Sequence, residues 1–324
     1  MSDETTVAPQ STQKKSSGIT RRRLLSLSLL AGGAALGLPR PATARPEFSG
    51  WPESFGMLVD LTLCVGCRSC EQACGEANSL PKPERPFDDH AVFNEKRWPS
   101  AKAYTVVNRY QNPKNKEHPL YRKIQCNHCL EPACATVCPI QAFTKTQQGA
   151  VVYNVDLCFG CRYCVMACPF NIPGYDYESP LDAKVVKCTF CSTLIANNQL
   201  PACADACPAG ALIFGKRTDL IKMARRRIMD NPKQYIDHIY GEQEVGGTSW
   251  MYLSAVPFDK YGLPGNLPKK PLIELTEGFL SSVPVIFTTF PAIFGMLYAA
   301  LHKKEKKEDP AQKAVSESRE VDHE

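Results

Sequence analysis

The sixteen cysteines of this 324-residue chain fall into four groups of four with none left over. The groups are Cys64/Cys67/Cys70/Cys74, Cys126/Cys129/Cys134/Cys138, Cys158/Cys161/Cys164/Cys168 and Cys188/Cys191/Cys203/Cys207. Closely spaced soft thiolates can wrap one small inorganic body while a fourth reaches a neighbour, which is the ligand pattern of iron–sulfur cubanes. Two other uses of cysteine fit less well. Disulfides suit exported proteins, yet a domain of this size needs few of them, and thiols at i, i+3, i+6 bridge one another poorly. Structural zinc pairs two separated C-x2-C knuckles. It has no use for the third close thiol or for the proline that follows Cys138, Cys168 and Cys207. The spacing predicts four [4Fe–4S] clusters in two interlocked pairs, a path for single electrons. A zinc-stabilised scaffold without redox role is the remaining rival from another class.

The third group, with Pro169 behind it, reproduces the C-x2-C-x2-C-x3-C-P run of bacterial ferredoxins. The other groups depart from it locally: Gly75 follows Cys74, four residues separate Cys129 from Cys134, and eleven (Ser192 to Ala202) separate Cys191 from Cys203. That last insertion is expected to bulge as a loop. Two stretches read as near-repeats, Val59-Asp60-Leu61-Thr62-Leu63-Cys64-Val65-Gly66-Cys67-Arg68 and Val155-Asp156-Leu157-Cys158-Phe159-Gly160-Cys161-Arg162. Glycine between the first two thiols lets the backbone wrap a cluster and aim N–H groups at its sulfurs. Residues 142–145 and 150–153 read as a hairpin around Gln147-Gln148-Gly149, with 211–214 as the matching edge in the other half. The expected fold is α+β, with duplicated bacterial-ferredoxin-like [4Fe–4S] domains over residues 45–215, an insertion at 75–125, and one C-terminal transmembrane helix. A strand is expected at 104–110 within the insertion, which reads either as a docking face or as a plain surface excursion.

Nesting the groups, first with fourth and second with third, gives the expected ligand sets. Cluster 1 takes Cys64, Cys67, Cys70 and Cys207, and cluster 2 takes Cys74, Cys188, Cys191 and Cys203. Cluster 3 takes Cys126, Cys129, Cys134 and Cys168, and cluster 4 takes Cys138, Cys158, Cys161 and Cys164.

The ends of the chain carry addresses. Thr20-Arg21-Arg22-Arg23-Leu24-Leu25, an apolar run from Leu24 to Leu38, and Ala42-Thr43-Ala44 read as a twin-arginine export signal cleaved after Ala44. That route carries folded proteins, so clusters inserted in the reducing cytoplasm would arrive intact. Phe279 to Leu301 is a stretch of 23 residues without a charge. As a helix it reaches about 34 Å, enough to cross a bilayer. The basic His302–Lys307 flank would keep the C-terminus in the cytoplasm and the body on the periplasmic face. Residues 302–324 form a charged tail, disordered from 308 onward by composition. Between body and anchor, 216–278 reads as an amphipathic helix (218–230) and an extended connector, with Arg225-Arg226-Arg227 as a solvated face. The net charge of +5 decides little, and no basic-aromatic surface points to nucleic acid.

No catalytic constellation, phosphate loop or nickel site stands out, and no C-x2-C-H run would attach a haem. His128 reads as a surface or hydrogen-bonding residue, because four thiols already fill its motif. On the cysteine groups, the signal, the anchor, Gly56-Met57-Leu58 and Tyr240–Thr248, the chain resembles the four-cluster iron–sulfur subunits of membrane-bound respiratory oxidoreductases. Within that family it is similar to those of hydrogenase-2 type. The Gly-Gly-Thr segment at 246–248 and Gly262-Leu263-Pro264 are also similar to the beta subunits of membrane-bound formate dehydrogenases, which usually lack a signal of their own. The resemblance implies the ligand sets given above. It also implies a subunit that is not itself an enzyme. Such a subunit conducts electrons between the small and large subunits of a periplasmic hydrogenase and an integral membrane subunit that handles quinone. With formate dehydrogenase or another molybdenum or tungsten oxidoreductase as partner, the path is the same and the enzyme differs.

Overall fold

The computed structural model describes residues 51–177 and 184–320, without the side chains of Glu277 and of 302–320. The export signal expected at 1–44 lies outside the described residues. In chain order the strands are β1 (Phe55–Asp60), β2 (Val106–Tyr110), β3 (Leu120–Ile124), β4 (Phe143–Lys145), β5 (Val151–Tyr153), β6 (Gly174–Tyr175), β7 (Val185–Val186), β8 (Leu212–Lys216) and β9 (Trp250–Leu253). The α-helices are α1 (Ser69–Ala77), α2 (Ala133–Thr136), α3 (Tyr163–Ala167), α4 (Ser192–Ala196), α5 (Ala202–Asp205), α6 (Arg217–Asp230) and α7 (Glu274–Glu320).

β1 is the organising strand. Its alternating side chains are apolar on both faces, so it is covered on both, as a central strand must be. It pairs antiparallel with β8 (Phe55 opposite Lys216, Val59 opposite Leu212). On the other side β9 lies parallel to it, Met57 beside Trp250 and Asp60 beside Leu253. Met57 and Val59 enter the main core with Val106, Ile124, Phe190, Trp250 and Tyr252. Leu58 points the other way, against Leu220, Ala224 and Ile228 of α6, a stripe at i, i+4, i+8 that marks one helical face. At its end the fully buried Asp60 accepts from the Thr62 N–H and hydroxyl, at 3.1 and 2.6 Å. It also accepts from Arg227 at 2.8 Å and Tyr235 at 2.7 Å. The loop that carries Cys64 thus leaves a fixed point.

Arg227 therefore belongs to an ion pair, and Arg225 pairs with Glu242. The arginine run is a solvated face, as expected, at the exposed Arg225 and Arg226; Arg227 departs from it because α6 lies across the sheet, which brings it to the buried carboxylate at its edge. The inserted segment after Cys191 differs from expectation too: it holds α4, whose Ile195 turns into the main core, so it is packed and not a bulging loop.

The 75–125 insertion carries β2 and β3 as an antiparallel hairpin, Val106 opposite Ile124. It is fastened to α1 through Glu71. That carboxylate accepts from Arg68 at 3.1 Å, from Arg97 at 2.6 Å and from the Val107 N–H at 2.5 Å. β4 and β5 form the expected hairpin, Phe143 opposite Tyr153.

The last helix starts from a tethered segment: Val245 and Gly246 donate to the carbonyls of Pro268 (2.7 Å) and Lys269 (2.9 Å), and Leu272 packs on the main core. Within α7, Glu274–Leu301 is long and apolar enough to cross a bilayer, and none of its most apolar stretch is buried against the body. The backbone stays helical to Glu320, where a disordered tail was expected from 308. Residues 302–320 are rich in Lys and Glu, which extend a helix already nucleated upstream.

Candidate iron–sulfur centres

Each group of cysteines opens with the same backbone gesture. Two residues after the first thiol the chain enters the left-handed region, at Gly66 (φ 73°), His128 (46°), Gly160 (78°) and Phe190 (57°). That turn directs N–H groups at sulfur: His128 to Cys126 (3.5 Å), Gly160 to Cys158 (3.4 Å) and Phe190 to Cys188 (3.3 Å). Ala142 N–H adds one to Cys138 at 3.2 Å. Gly66 could not be replaced cheaply, since a Cβ there would fall 2.4 Å from the Tyr121 ring. A second left-handed residue, Arg68 (φ 65°) or Arg162 (61°), then starts α1 or α3. Cys70 and Cys74 follow on α1, and Cys164 lies on α3 with Cys168 at its end.

The folded chain gathers thiols from different groups. One cavity of about 420 Å³ is lined by Cys64, Cys67, Cys70 and Cys207 together with Val59, Val107, Lys123 and Leu212. A second, of about 300 Å³, is lined by Cys74, Cys188, Cys191 and Cys203 with Asn78, Phe190, Lys123 and Trp250. A third, of about 290 Å³, is lined by Cys138, Cys158, Cys161 and Cys164 with Phe159 and Arg162. The remaining four are neighbours by charge: burial pushes the Cys129 thiol well up, and Cys168, Cys126 and Cys134 push it further. Cys67 and Cys161 are the exposed members; Cys74, Cys164, Cys188 and Cys203 are buried.

These residues fit a multi-atom cluster. Among the described residues no three His, Cys, Asp or Glu side chains converge as a single ion requires, whereas four thiols around a void match a body that fills the space between them. Burial pushes Cys64, Cys164, Cys168 and Cys188 up to about 11 and Cys74 and Cys134 to about 12. Such thiols stay protonated at neutral pH until a cation takes the proton's place. The N–H···S contacts then serve the bound thiolates, whose hydrogen bonding and burial set a cluster's potential.

Three buried or half-buried lysines, not picked out from the sequence, surround these thiols. Lys123 on β3 donates to Thr105 Oγ1 at 2.7 Å and lies 4.8 Å from the Trp250 ring. Burial alone would lower its pKa, but Cys203, Cys70, Cys188 and Cys74, once they are thiolates, outweigh that and hold it charged. Lys145 donates to His128 O (2.9 Å), Gly149 O (2.6 Å) and Ser249 Oγ (3.1 Å). Burial draws it down to about 7 against the pull of Cys129 and Cys126. Lys187 donates to the carbonyls of Val151 and Cys188. His128 is fully buried, so it is not a surface residue. Its Nδ1 accepts the Val151 N–H at 2.9 Å, and its ring packs on Phe190 with centroids 4.9 Å apart. No sequence signal marks these roles, because the partners lie on other elements.

Thiol-lined cavities, N–H groups aimed at sulfur and compensating cations define an iron–sulfur electron-transfer protein with multiple [4Fe–4S] clusters. Residues 118–217 match the family described as 4Fe–4S dicluster domain. The hydrogenase-2 operon protein HybA of Escherichia coli O157:H7 is 36% identical over 266 residues, covering 73% of this chain and 80% of the relative. The formate dehydrogenase-O iron-sulfur subunit of Escherichia coli K12 is 33% identical over 258 residues, 78% of this chain and 84% of the relative. A protein of Nitratidesulfovibrio vulgaris is 48% identical over 290 residues, 88% of this chain and 78% of the relative. The chain belongs to this family of iron–sulfur electron-transfer subunits.

Proposed function

We propose that this chain is the non-catalytic electron-conducting subunit of an exported, membrane-anchored oxidoreductase. It holds four [4Fe–4S] clusters on the sets Cys64/Cys67/Cys70/Cys207, Cys74/Cys188/Cys191/Cys203, Cys126/Cys129/Cys134/Cys168 and Cys138/Cys158/Cys161/Cys164. The observation that carries the reading is the gathering of thiols from sequence-distant groups around common voids. When bound, the clusters supply one-electron transfer, each donor oxidised as its neighbour is reduced, with no proton required. The chain's own part is to fix, shield and polarise them. Cys70 and Cys74 share α1, which binds the first two sets into a pair. In the other half Cys134 feels Cys164, while Cys188 feels Cys126 across the middle. These neighbours support a linear order with the exposed Cys67 and Cys161 at the two ends.

The catalytic partner is a hydrogenase, with small and large subunits, and electrons pass to an integral membrane subunit that handles quinone. The hydrogenase-2 operon relative and the twin-arginine pattern at Arg21-Arg22 support this partner. A formate dehydrogenase or another molybdenum or tungsten enzyme is the second reading, favoured by the formate dehydrogenase-O relative, which covers 78% of the chain against 73% for the hydrogenase-2 operon relative. The 1–44 segment serves as the cleaved export signal. The apolar part of α7 crosses the membrane, with the body on the periplasmic face.

The test is metal analysis and low-temperature electron paramagnetic resonance on the detergent-solubilised complex. Roughly sixteen iron atoms per copy of this chain, four for each cluster, with interacting [4Fe–4S] signals and nickel in the partner, are expected. Molybdenum or tungsten in the partner would shift the assignment to the second reading, and zinc without iron would overturn both.

A further inference from the structure

We infer that Lys123 sets the reduction potentials of two of the centres at once. It is one buried ammonium that makes reduction easier at both the Cys64/Cys67/Cys70/Cys207 and the Cys74/Cys188/Cys191/Cys203 sites. The inference rests on the ligand sets proposed above and adds a role for a residue that ligates nothing.

Lys123 lies near the end of β3, is 3% exposed, and lines both cavities. Its position is fixed from three directions. The strand places it opposite Val107, Thr105 Oγ1 accepts one of its three N–H donors, and its Nζ sits over the Trp250 ring, 4.8 Å from the centroid. A buried charge is tolerated only when compensated. Among the described residues no carboxylate pairs with it; the groups facing it are Cys203, Cys70, Cys188 and Cys74, two of which sit on neighbouring turns of α1. Lys145 differs: it gives all three donors to oxygen atoms, and it lies beside the Cys126 and Cys129 thiols only.

The electrostatic consequence is direct. A cubane on four thiolates carries net negative charge, and reduction adds one more. A fixed cation in a dry wall stabilises the reduced form more than the oxidised one, and low local dielectric keeps that effect from being screened away. Since the same ammonium lines both sites, it moves both potentials in the same direction and leaves the difference between them little changed.

The experiment is a potentiometric titration of the solubilised complex followed by electron paramagnetic resonance, comparing the natural chain with Lys123→Met, Lys123→Gln and Lys123→Arg, with iron counted in each. In both neutral variants two of the four signals shift to lower potential, each by roughly tenfold in its one-electron equilibrium, about 59 mV. The other two stay in place, and Lys123→Arg keeps all four near their natural values. Neutral variants that lose the iron of two clusters while Lys123→Arg retains it would overturn the inference, since a cation needed only to hold the clusters explains that loss. Unchanged potentials in Lys123→Met, a uniform shift of all four signals, or equal damage in all three variants would overturn it. Absence of four clusters from the natural chain would instead defeat the proposed function on which the inference stands.

Discussion

Gly66, His128, Gly160 and Phe190 occupy one structural position with two chemistries. A left-handed residue with a Cβ costs about 1–2 kcal/mol, so glycine is the cheap solution near the exposed Cys67 and Cys161. His128 and Phe190 accept that cost in the interior, where their rings pack on each other and Phe190 also meets Trp250 at 6.1 Å. Gly66→Ala should therefore be far worse than its size suggests. The left-handed strain and the 2.4 Å approach to Tyr121 together cost roughly 2–4 kcal/mol. The expected readout is a lowered apparent thermal midpoint with iron reduced by about one cluster's share. Gly75→Ala is the contrast: a Cβ there meets nothing within 4 Å, and alanine in α1 should leave the midpoint unchanged or slightly raised. Equal damage from both would contradict the argument. At this scale the sequence was legible for the thiols, whose spacing is local, and illegible for Lys123, His128 and Phe190. Nothing next to Lys123 in the chain shows that β3 will bring it against α1 and β9, and a left-handed phenylalanine carries no compositional mark.

Elements meet the thiols through a small number of fixed joints, of which Glu71 is the one most open to test. Its side chain is 5% exposed between Arg68 at 2% and Arg97 at 24%, and it also accepts the N–H of the buried Val107 in β2. Glu71→Gln keeps the shape, removes the charge, and leaves Arg68 buried beside a neutral amide. Removing one partner of a buried ion pair costs about 3–5 kcal/mol. The value here belongs at the lower end, because Arg97 reaches solvent and the amide still accepts a hydrogen bond. The insertion should loosen from α1, seen as faster proteolysis within 75–125 and faster amide exchange at Val107; protection equal to the natural chain would refute the role assigned to Glu71. Hairpins and helices were legible from local pattern: β4 with β5, β2, and α6 fall where periodicity and turn residues put them. The parallel pairing of β9 with β1 was not, since 192 residues lie between Met57 and its neighbour in register, Trp250, and only shared burial specifies the pair. Distance in sequence likewise hid the partner of Arg227, Asp60, 167 residues away.

Over the whole molecule, the body and the last helix obey different solvents. The body buries Met57, Leu58, Trp250 and Leu253 completely. Along α7, Phe279, Phe287 and Phe294 remain 71%, 75% and 61% exposed. A contiguous apolar surface of that length requires a nonaqueous partner, yet it contributes no burial to the body that holds the cysteines. The tether ends at Leu272, which is still part of the main core. Ending the chain after Ile273 should therefore separate anchoring from cluster binding. The truncated subunit is expected in the soluble fraction with iron per chain and the paramagnetic signals of its clusters unchanged. The full chain is expected to sediment with membranes and to need detergent for release. Ending the chain after Pro268 instead removes Leu272 and the Lys269 carbonyl that holds Gly246, together with the Pro271 ring against that glycine. This shorter chain should lose stability near Cys129, because Thr248 bridges to it and Gly247 accepts the Leu130 N–H at 3.0 Å. If the chain ending after Ile273 lost iron as well, the last helix would belong to the body and its exposed face would have to close against a subunit of the complex before the clusters could be held.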